Sequence, residues 1–243
     1  MRYLFISDLH LSSKREDLCL ALVRFLDEQY NASPFSHLFL LGDIFDAWVG
    51  DDVVEPSLVP AIQALKALSI DGVKIFFQHG NRDFLVGSEF VQSIGATLLP
   101  ESEVITLPSG EKALLMHGDQ LCTDDVAYQA FRNQVRNPTW QAHFLSMPTQ
   151  ERIAFAQKAR AESKSAAKEK SNEIMDVNDQ AVNDALTEAQ VNLLIHGHTH
   201  RPCIHKNHKN DAATMRIVLG DWDTDLWYLS CTEQGYLLKQ EAL

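Results

Sequence analysis

Asp8 and His10 stand two residues apart near the start of the chain, and His198 and His200 repeat that spacing near its end. Taken as locally extended backbone, residues two apart project to one side, so each pair can close on a single cation. Between them come Gly42-Asp43, Gly80-Asn81-Arg82-Asp83 and His117-Gly118-Asp119. Alone, any of these says little, because a single histidine on an apolar strand is ordinarily packed and hydrogen-bonded. Together Asp8, His10, Asp43, Asn81, His117, His198 and His200 make a donor set of carboxylate oxygen, amide oxygen and imidazole nitrogen, without thiolate. That mixture suits manganese, iron or zinc better than calcium. Only Asp8 and Asp43 bring negative charge, so two divalent ions would leave the cluster at about +2. A positive pocket in a chain of net charge −12 calls for an anionic substrate, phosphate above all.

The elements that must carry these groups are legible as apolar runs. Tyr3-Leu4-Phe5-Ile6, Leu38-Phe39-Leu40-Leu41, Val73 to Phe77, Ala113 to Met116 and Leu193-Leu194-Ile195 each end just before one of the motifs. Buried strands read this way, and polar groups at their carboxyl ends converge where open α/β sheets build sites. A helix is expected from Glu16 to Gln29, a second opened by Pro56 and running to Leu68, and a short one over 86–94. Segments near 103–107 and 112–117 read as an antiparallel pair around Pro108-Ser109-Gly110. Ile217-Val218-Leu219 and Leu226-Trp227-Tyr228-Leu229 read as closing strands.

At 243 residues, 45% hydrophobic and 22% charged, the chain can bury one substantial core, with or without an insertion. Its acidity excludes broad nucleic-acid binding, which needs a basic surface. Four scattered cysteines (Cys19, Cys122, Cys203, Cys231) show no paired spacing and read as reduced and buried, as in a cytoplasm. No run approaches the roughly 18 apolar residues of a membrane span, and the start of the chain does not read as a secretory signal.

Residues 125–190 break the alternation, being helical in pattern with little strand character. From Glu151 to Lys170 six basic residues face three glutamates, a local charge of +3. A basic run is ordinarily a solvated helix face. Here Arg160, Ser163, Ala167 and Lys170 fall within about 80° of one face, and site motifs flank the segment on both sides. Trp140, Phe144, Leu145, Met147, Ile153 and Phe155 could line an apolar slot, or simply hold the segment to the core.

Motifs of the form D-x-H, G-D, G-N-x, a middle histidine and G-H-x-H, in that order, resemble those of the calcineurin-like metallophosphoesterases. The resemblance implies a four-layer αββα sandwich, two mixed sheets flanked by helices, with core 1–124 and 191–243 and a helical cap 125–190 inserted over the site. It implies two Mn(II) ions, other divalent metals being possible. Asp43 would bridge them, Asp8, His10 and His200 complete one site, and Asn81, His117 and His198 the other. Asn81, Arg82 and Asp43 would be catalytic. Many members carry histidine after the asparagine, able to protonate an alkoxide; this chain has Arg82. Arginine cannot give up a proton near neutral pH but clamps phosphate oxygens. A phosphate leaving group, with a second pKa of about 6, needs no such proton. Arg82 therefore favours pyrophosphate cleavage over ester cleavage.

The stretch Leu40 to Trp48, His117-Gly118-Asp119, Cys122 to Asp125, Ile174 to Asn178 and His196 to Pro202 resemble one branch of that family in particular. Its members split UDP-2,3-diacylglucosamine into UMP and 2,3-diacylglucosamine 1-phosphate (lipid X), by attack on the uridine-side phosphorus, in lipid A biosynthesis. The resemblance implies a peripheral enzyme of the inner membrane's cytoplasmic face. It places Asn81 and Arg82 on the substrate phosphate and Asp125, Ser163, Lys170 and His198 elsewhere on the substrate. Arg160 matches a basic cap residue, and Ala167 replaces an asparagine. The alternatives are another phosphodiesterase or phosphatase of the family, and a non-catalytic scaffold of the same fold, against which the intact ligand set argues.

Overall fold

Alternate residues of the central strands face opposite layers, and this divides the core. In the first sheet the strands are β1 (Arg2–Ile6), β2 (His37–Leu41), β3 (Lys74–Gln78), β4 (Ala96–Leu98), β10 (Asp225–Thr232) and β11 (Gly235–Ala242), in the order β11-β10-β1-β2-β3-β4. Strands β1 to β4 pair parallel, and the β10 and β11 pairings are antiparallel. Leu4, Ile6, Leu38, Leu40, Ile75 and Phe77 pack with the buried residues of helices α1 (Glu16–Ala32), α2 (Val59–Ile70) and α3 (Ser88–Ser93). The intervening Phe5, Phe39 and Leu41 face the second sheet instead. Apolar side chains on both faces are what a doubly covered parallel strand requires.

The second sheet runs β5-β6-β7-β9-β8, from β5 (Ser102–Thr106), β6 (Lys112–Met116), β7 (Leu193–His196), β8 (Cys203–Lys209) and β9 (Ala212–Val218). Strands β6, β7 and β9 are parallel neighbours, with β5 and β8 antiparallel at the edges. Ala113, Leu115, Leu193, Ile195 and Ile217 meet the first sheet, while Leu114, Met116 and Leu194 meet Val182 and Leu186 of α7 (Asp179–Ala189). The four-layer αββα order follows: helices, sheet, sheet, helix. This computed structural model describes residues 1–169, 174, 176–209 and 212–243, with backbone alone for 166–169, 207–209 and 212.

Between β6 and β7 lie α4 (Val126–Val135), α5 (Pro138–Leu145), α6 (Thr149–Glu169) and α7. The Asp125 and Asn137 side chains cap the amino ends of α4 and α5. The cap expected over 125–190 is divided: α7 packs on the second sheet as a layer of the core, whereas α4 to α6 carry residues that meet those of the strand ends. The cysteine reading needs one correction. Cys19, Cys122 and Cys231 are buried, but Cys203 is exposed, because it opens the edge strand β8.

Candidate active site

Every ligand candidate leaves the carboxyl end of a parallel strand: Asp8 and His10 after β1, Asp43 after β2, Asn81 after β3, His117 after β6, His198 and His200 after β7. The loops are stitched together by backbone bonds, Asp8 N–H to Gly42 O (3.1 Å), His10 N–H to Asp43 O (3.0 Å) and Gly197 N–H to His117 O (2.9 Å). Gly42 and Gly80 make that approach possible. A Cβ on Gly42 (φ +81°) would stand 2.5 Å from His117 Nδ1, and one on Gly80 2.2 Å from the Asp43 nitrogen.

One local expectation is overturned. The D-x-H and H-x-H pairs are not extended: Asp8, His10, Asp43, His198 and His200 all have φ between 52° and 67°. Of the non-glycine residues described, only Gln190 otherwise has positive φ. The left-handed turns, not strand pleating, aim these side chains inward. Strain of this kind persists where surrounding structure over-determines it, and it clusters at functional sites.

Two groups of donors converge, Asp8 with His10 and His200, and Asp8 with Asp43 and His117, the ligand atoms of each lying within 4.8 Å of one another. His10 Nε2 and His200 Nε2 are 3.3 Å apart, and His200 Nε2 is 3.3 Å from Asp8 Oδ1. On the other side His117 Nε2 and His198 Nδ1 stand 3.1 and 2.8 Å from Asn81 Oδ1. His117 Nδ1 donates to Leu41 O at 2.8 Å, which leaves the Nε2 lone pair facing Asn81 Oδ1 when the ring is neutral. Acceptor faces acceptor there, and a cation resolves it.

Burial and charge make the same demand. His10 Nδ1 is buried without a hydrogen-bond partner and Asp8 Oδ1 faces His200 Nε2 at 3.3 Å, while Asp8 Oδ2 accepts from Ser7 Oγ (2.6 Å) and His198 N–H (2.9 Å). Burial would keep His200 neutral, but Asp221, its Oδ2 3.2 Å from Nδ1, and Asp8 raise it to about 10. Burial likewise opposes charge on His117, yet Asp43, Asp8 and Asp119 raise its pKa. Carboxylates that stabilise positive charge on an imidazole also stabilise a cation beside it. By contrast burial and Arg82 push His10 well down, and burial and His117 push His198 down to about 4, leaving lone pairs available. The donors present fit divalent cations.

Asp8 is common to both groups. Asp43, for which the resemblance suggests a bridging place, stands with its Oδ1 3.7 Å from His117 Nε2, and accepts from the Arg82 N–H at 2.8 Å. The Arg82 guanidinium reaches Asp43 Oδ2 through Nε (3.3 Å) and Asp46 Oδ1 through Nη1 (2.7 Å).

A cavity of about 660 Å³ opens from these groups. Its polar end is lined by Asp43, Asn81, Arg82, His198 and His200, with Asp125, Arg160 and Ser163 from the helices above. Its other end is lined by Phe84, Leu85, Phe131, Trp140, Phe144 and Phe155. Of the side chains expected to line an apolar slot, Trp140, Phe144 and Phe155 do, whereas Leu145 and Ile153 are exposed elsewhere and Met147 packs on the core. Phe144 also does the blander job, being 3% exposed within the core cluster. Lys170 and the side chain of Ala167 lie outside the described residues.

Other carboxylates near the site escaped the sequence reading. Asp83, fully buried, accepts from the N–H groups of Gly80 (2.8 Å) and Ile44 (2.8 Å), tying the β2 and β3 loops together. Burial and then Asp43 push its carboxyl up to about 6. Asp119 accepts from Tyr128 Oη (2.6 Å) and Arg132 Nε (2.8 Å), pinning α4 beside His117. Both sit inside the motifs that hold the ligand candidates; an acid flanking a ligand was the available signal.

The family model for calcineurin-like phosphoesterases matches residues 1–202. The chain belongs to that family. Two similar relatives, each named a UDP-2,3-diacylglucosamine hydrolase, come from Tolumonas auensis and Cellvibrio japonicus. The first is 46% identical over 100% of this chain and 98% of the relative. The second is 47% identical over 98% of each. A solved archaeal phosphodiesterase aligns over the whole of both chains with a TM-score of 0.52 at 14% identity, a likeness of fold alone. Membership makes the chain a metal-dependent hydrolase, for which the donor set has the right chemistry.

Proposed function

We propose that this hydrolase cleaves the pyrophosphate of UDP-2,3-diacylglucosamine to UMP and 2,3-diacylglucosamine 1-phosphate, by attack on the uridine-side phosphorus. One observation carries the reading: a single cavity joins a cation-demanding cluster to a bowl of aromatic rings. A substrate with a diphosphate at one end and acyl chains at the other needs both. The names of relatives 46–47% identical over nearly the whole length support it further.

Within the proposal Asp8, His10, Asp43, Asn81, His117, His198 and His200 would hold two divalent ions, Mn(II) first among the candidates. When bound, these supply Lewis acidity and lower the pKa of water enough for attack near neutral pH. Arg82 holds phosphate oxygens through the guanidinium N–H groups that Asp43 and Asp46 leave over, and it offers no proton. The leaving sugar phosphate needs none. Asp125, Arg160, Ser163 and His198, which line the cavity, would contact the rest of the substrate. The resemblance adds Lys170 and the Ala167 position, where alanine lacks the side-chain hydrogen bond of asparagine, and α4 to α6 would act as the cap. A phosphorus NMR time course in manganese buffer and oxygen-18 water should show UMP carrying the label. Label in the sugar phosphate, or no UMP, would overturn the reaction as written.

The site of action belongs to the same proposal: the cytoplasmic face of the inner membrane, held peripherally. Among the described residues no helix is long and apolar enough to cross a membrane. Val126 (74% exposed), Leu145 and Ile153 give the helices above the cavity exposed apolar side chains, and the sequence from Glu151 to Lys170 carries the +3 charge. Basic segments gain about 1 kcal/mol per Lys or Arg near an anionic bilayer. The protein should sediment with anionic vesicles and stay in solution with neutral ones. Equal recovery from both would remove the electrostatic part of the docking.

A further inference from the structure

Asp46 lies outside the donor set, yet two of the guanidinium groups that line the cavity, those of Arg82 and Arg160, converge on it. Its Oδ1 accepts from Arg82 Nη1 at 2.7 Å and from Arg160 Nη2 at 2.9 Å. Arg82 belongs to the loop after β3, next to Asn81; Arg160 belongs to α6, one residue from Ala159 and five from Phe155, both on the cavity wall. Two like charges sharing one oxygen repel unless a carboxylate stands between them, and the Arg82 charge does bear on Arg160. Asp46 is also well anchored. Its N–H donates to Leu11 O at 3.0 Å, and Leu11 N–H donates to Ile44 O at 2.9 Å. The backbone of Asp46 is held in place, and the two side chains that its carboxylate joins come from different parts of the molecule.

We propose that Asp46 is a positioning residue that couples the two ends of the cavity: acyl chains seated against α6 fix Arg160, Arg160 fixes Asp46, and Asp46 fixes Arg82 on the diphosphate. The inference rests on the pyrophosphatase reading above and adds to it a route by which the apolar end governs the reactive end. A misplacement of about 1 Å in such a clamp can lower the rate about 100-fold.

The test compares kcat and KM of wild type, Asp46→Asn, Asp46→Glu, Arg160→Gln and the double variant Asp46→Asn/Arg160→Gln. Each is measured on UDP-2,3-diacylglucosamine and on deacylated UDP-glucosamine at saturating Mn(II). Asp46→Asn should lower kcat on the acylated substrate roughly 10- to 100-fold, with KM changing less. It should also shrink the acylated-to-deacylated ratio of kcat/KM by about tenfold, and the double variant should lose less than the product of the single losses. Asp46→Glu, which keeps the carboxylate, should recover part of both. A residue that merely holds the fold would slow both substrates by one factor, so an unchanged ratio, multiplicative losses or wild-type kinetics would each overturn the proposal. If melting curves show Asp46→Asn to be unfolded, the ratio in Asp46→Glu and Arg160→Gln decides in its place. A wild-type protein that releases no UMP would sink the pyrophosphatase reading instead, a result the wild-type arm reports by itself.

Discussion

Asp43→Asn is expected to lose on the order of 10⁴-fold in kcat while folding as well as the parent. The carboxylate is 1% exposed, and its backbone has φ 54°. Asparagine is among the few residues that tolerate that conformation, and its amide oxygen can still accept the Arg82 N–H. Alanine would add about 1–2 kcal/mol of left-handed strain and blur the result. Burial, the largest influence, raises the Asp43 pKa, so the fold disfavours the carboxylate anion relative to the unfolded chain. For a raised carboxyl the favourable contribution is present at low pH and is lost as pH rises through the folded value, so a neutral amide costs nothing at pH 7. Without metal the variant should therefore melt at or above the wild-type temperature. Manganese should raise the melting temperature of the wild type, by selective binding to the native state, and should raise that of the variant far less. Calorimetry with and without Mn(II), beside kcat, separates the outcomes. A variant keeping a tenth of the activity would remove Asp43 from the centre.

That contrast between what Asp43 does for the fold and what it does for the site runs through the whole ligand set. Leaving five non-glycine residues with positive φ is expensive, about 1–3 kcal/mol each. Bonds between neighbouring loops, the Asp83 carboxylate and the two close glycines hold them in place. The geometry was illegible in the sequence for this reason. A D-x-H spacing suggests an extended pair because extension is the default for two residues after a strand, and only tertiary bonds impose the alternative.

The layers were easier to read than their borders. Leu38 to Leu41 and Leu193 to Ile195 are apolar at every position because both faces of their strands are covered, and that pattern admits few alternatives. Strands β4, β8 and β11 went unread. Each lies at a sheet edge. Lys239, Gln240 and Glu241 of β11 give no alternation to detect, since one side of an edge strand faces water and charge there blunts unwanted pairing. At the site the ligand candidates were legible because their chemistry is rare, whereas Phe84, Leu85 and Phe131 were not. A phenylalanine near a glycine-rich loop looks like any core residue until the cavity it faces is seen.

Deacylated UDP-glucosamine should be turned over with kcat/KM lower by about 10³-fold than the diacylated substrate. Each methylene moved from water into the aromatic bowl is worth about 0.8 kcal/mol, so some five seated methylenes supply about 4 kcal/mol, or three powers of ten. The bowl can hold them firmly. Trp140 stacks on Phe144 with ring centres 5.0 Å apart, and Phe155 meets Phe144 edge-on at 5.3 Å, so the apolar wall is made of mutually braced rings. Arg152 fastens the start of α6 to the core through Val49 O at 2.7 Å and Asp52 Oδ1 at 2.8 Å, which keeps that wall over the cavity. Phe155→Asp should reproduce much of the loss with the acylated substrate and little with the deacylated one, because Phe155 is 37% exposed at the rim and its replacement leaves the core intact. Kinetics on the two substrates with wild type and this variant provide the check. Equal turnover of both by the wild type would strip the aromatic end of any role in acyl recognition.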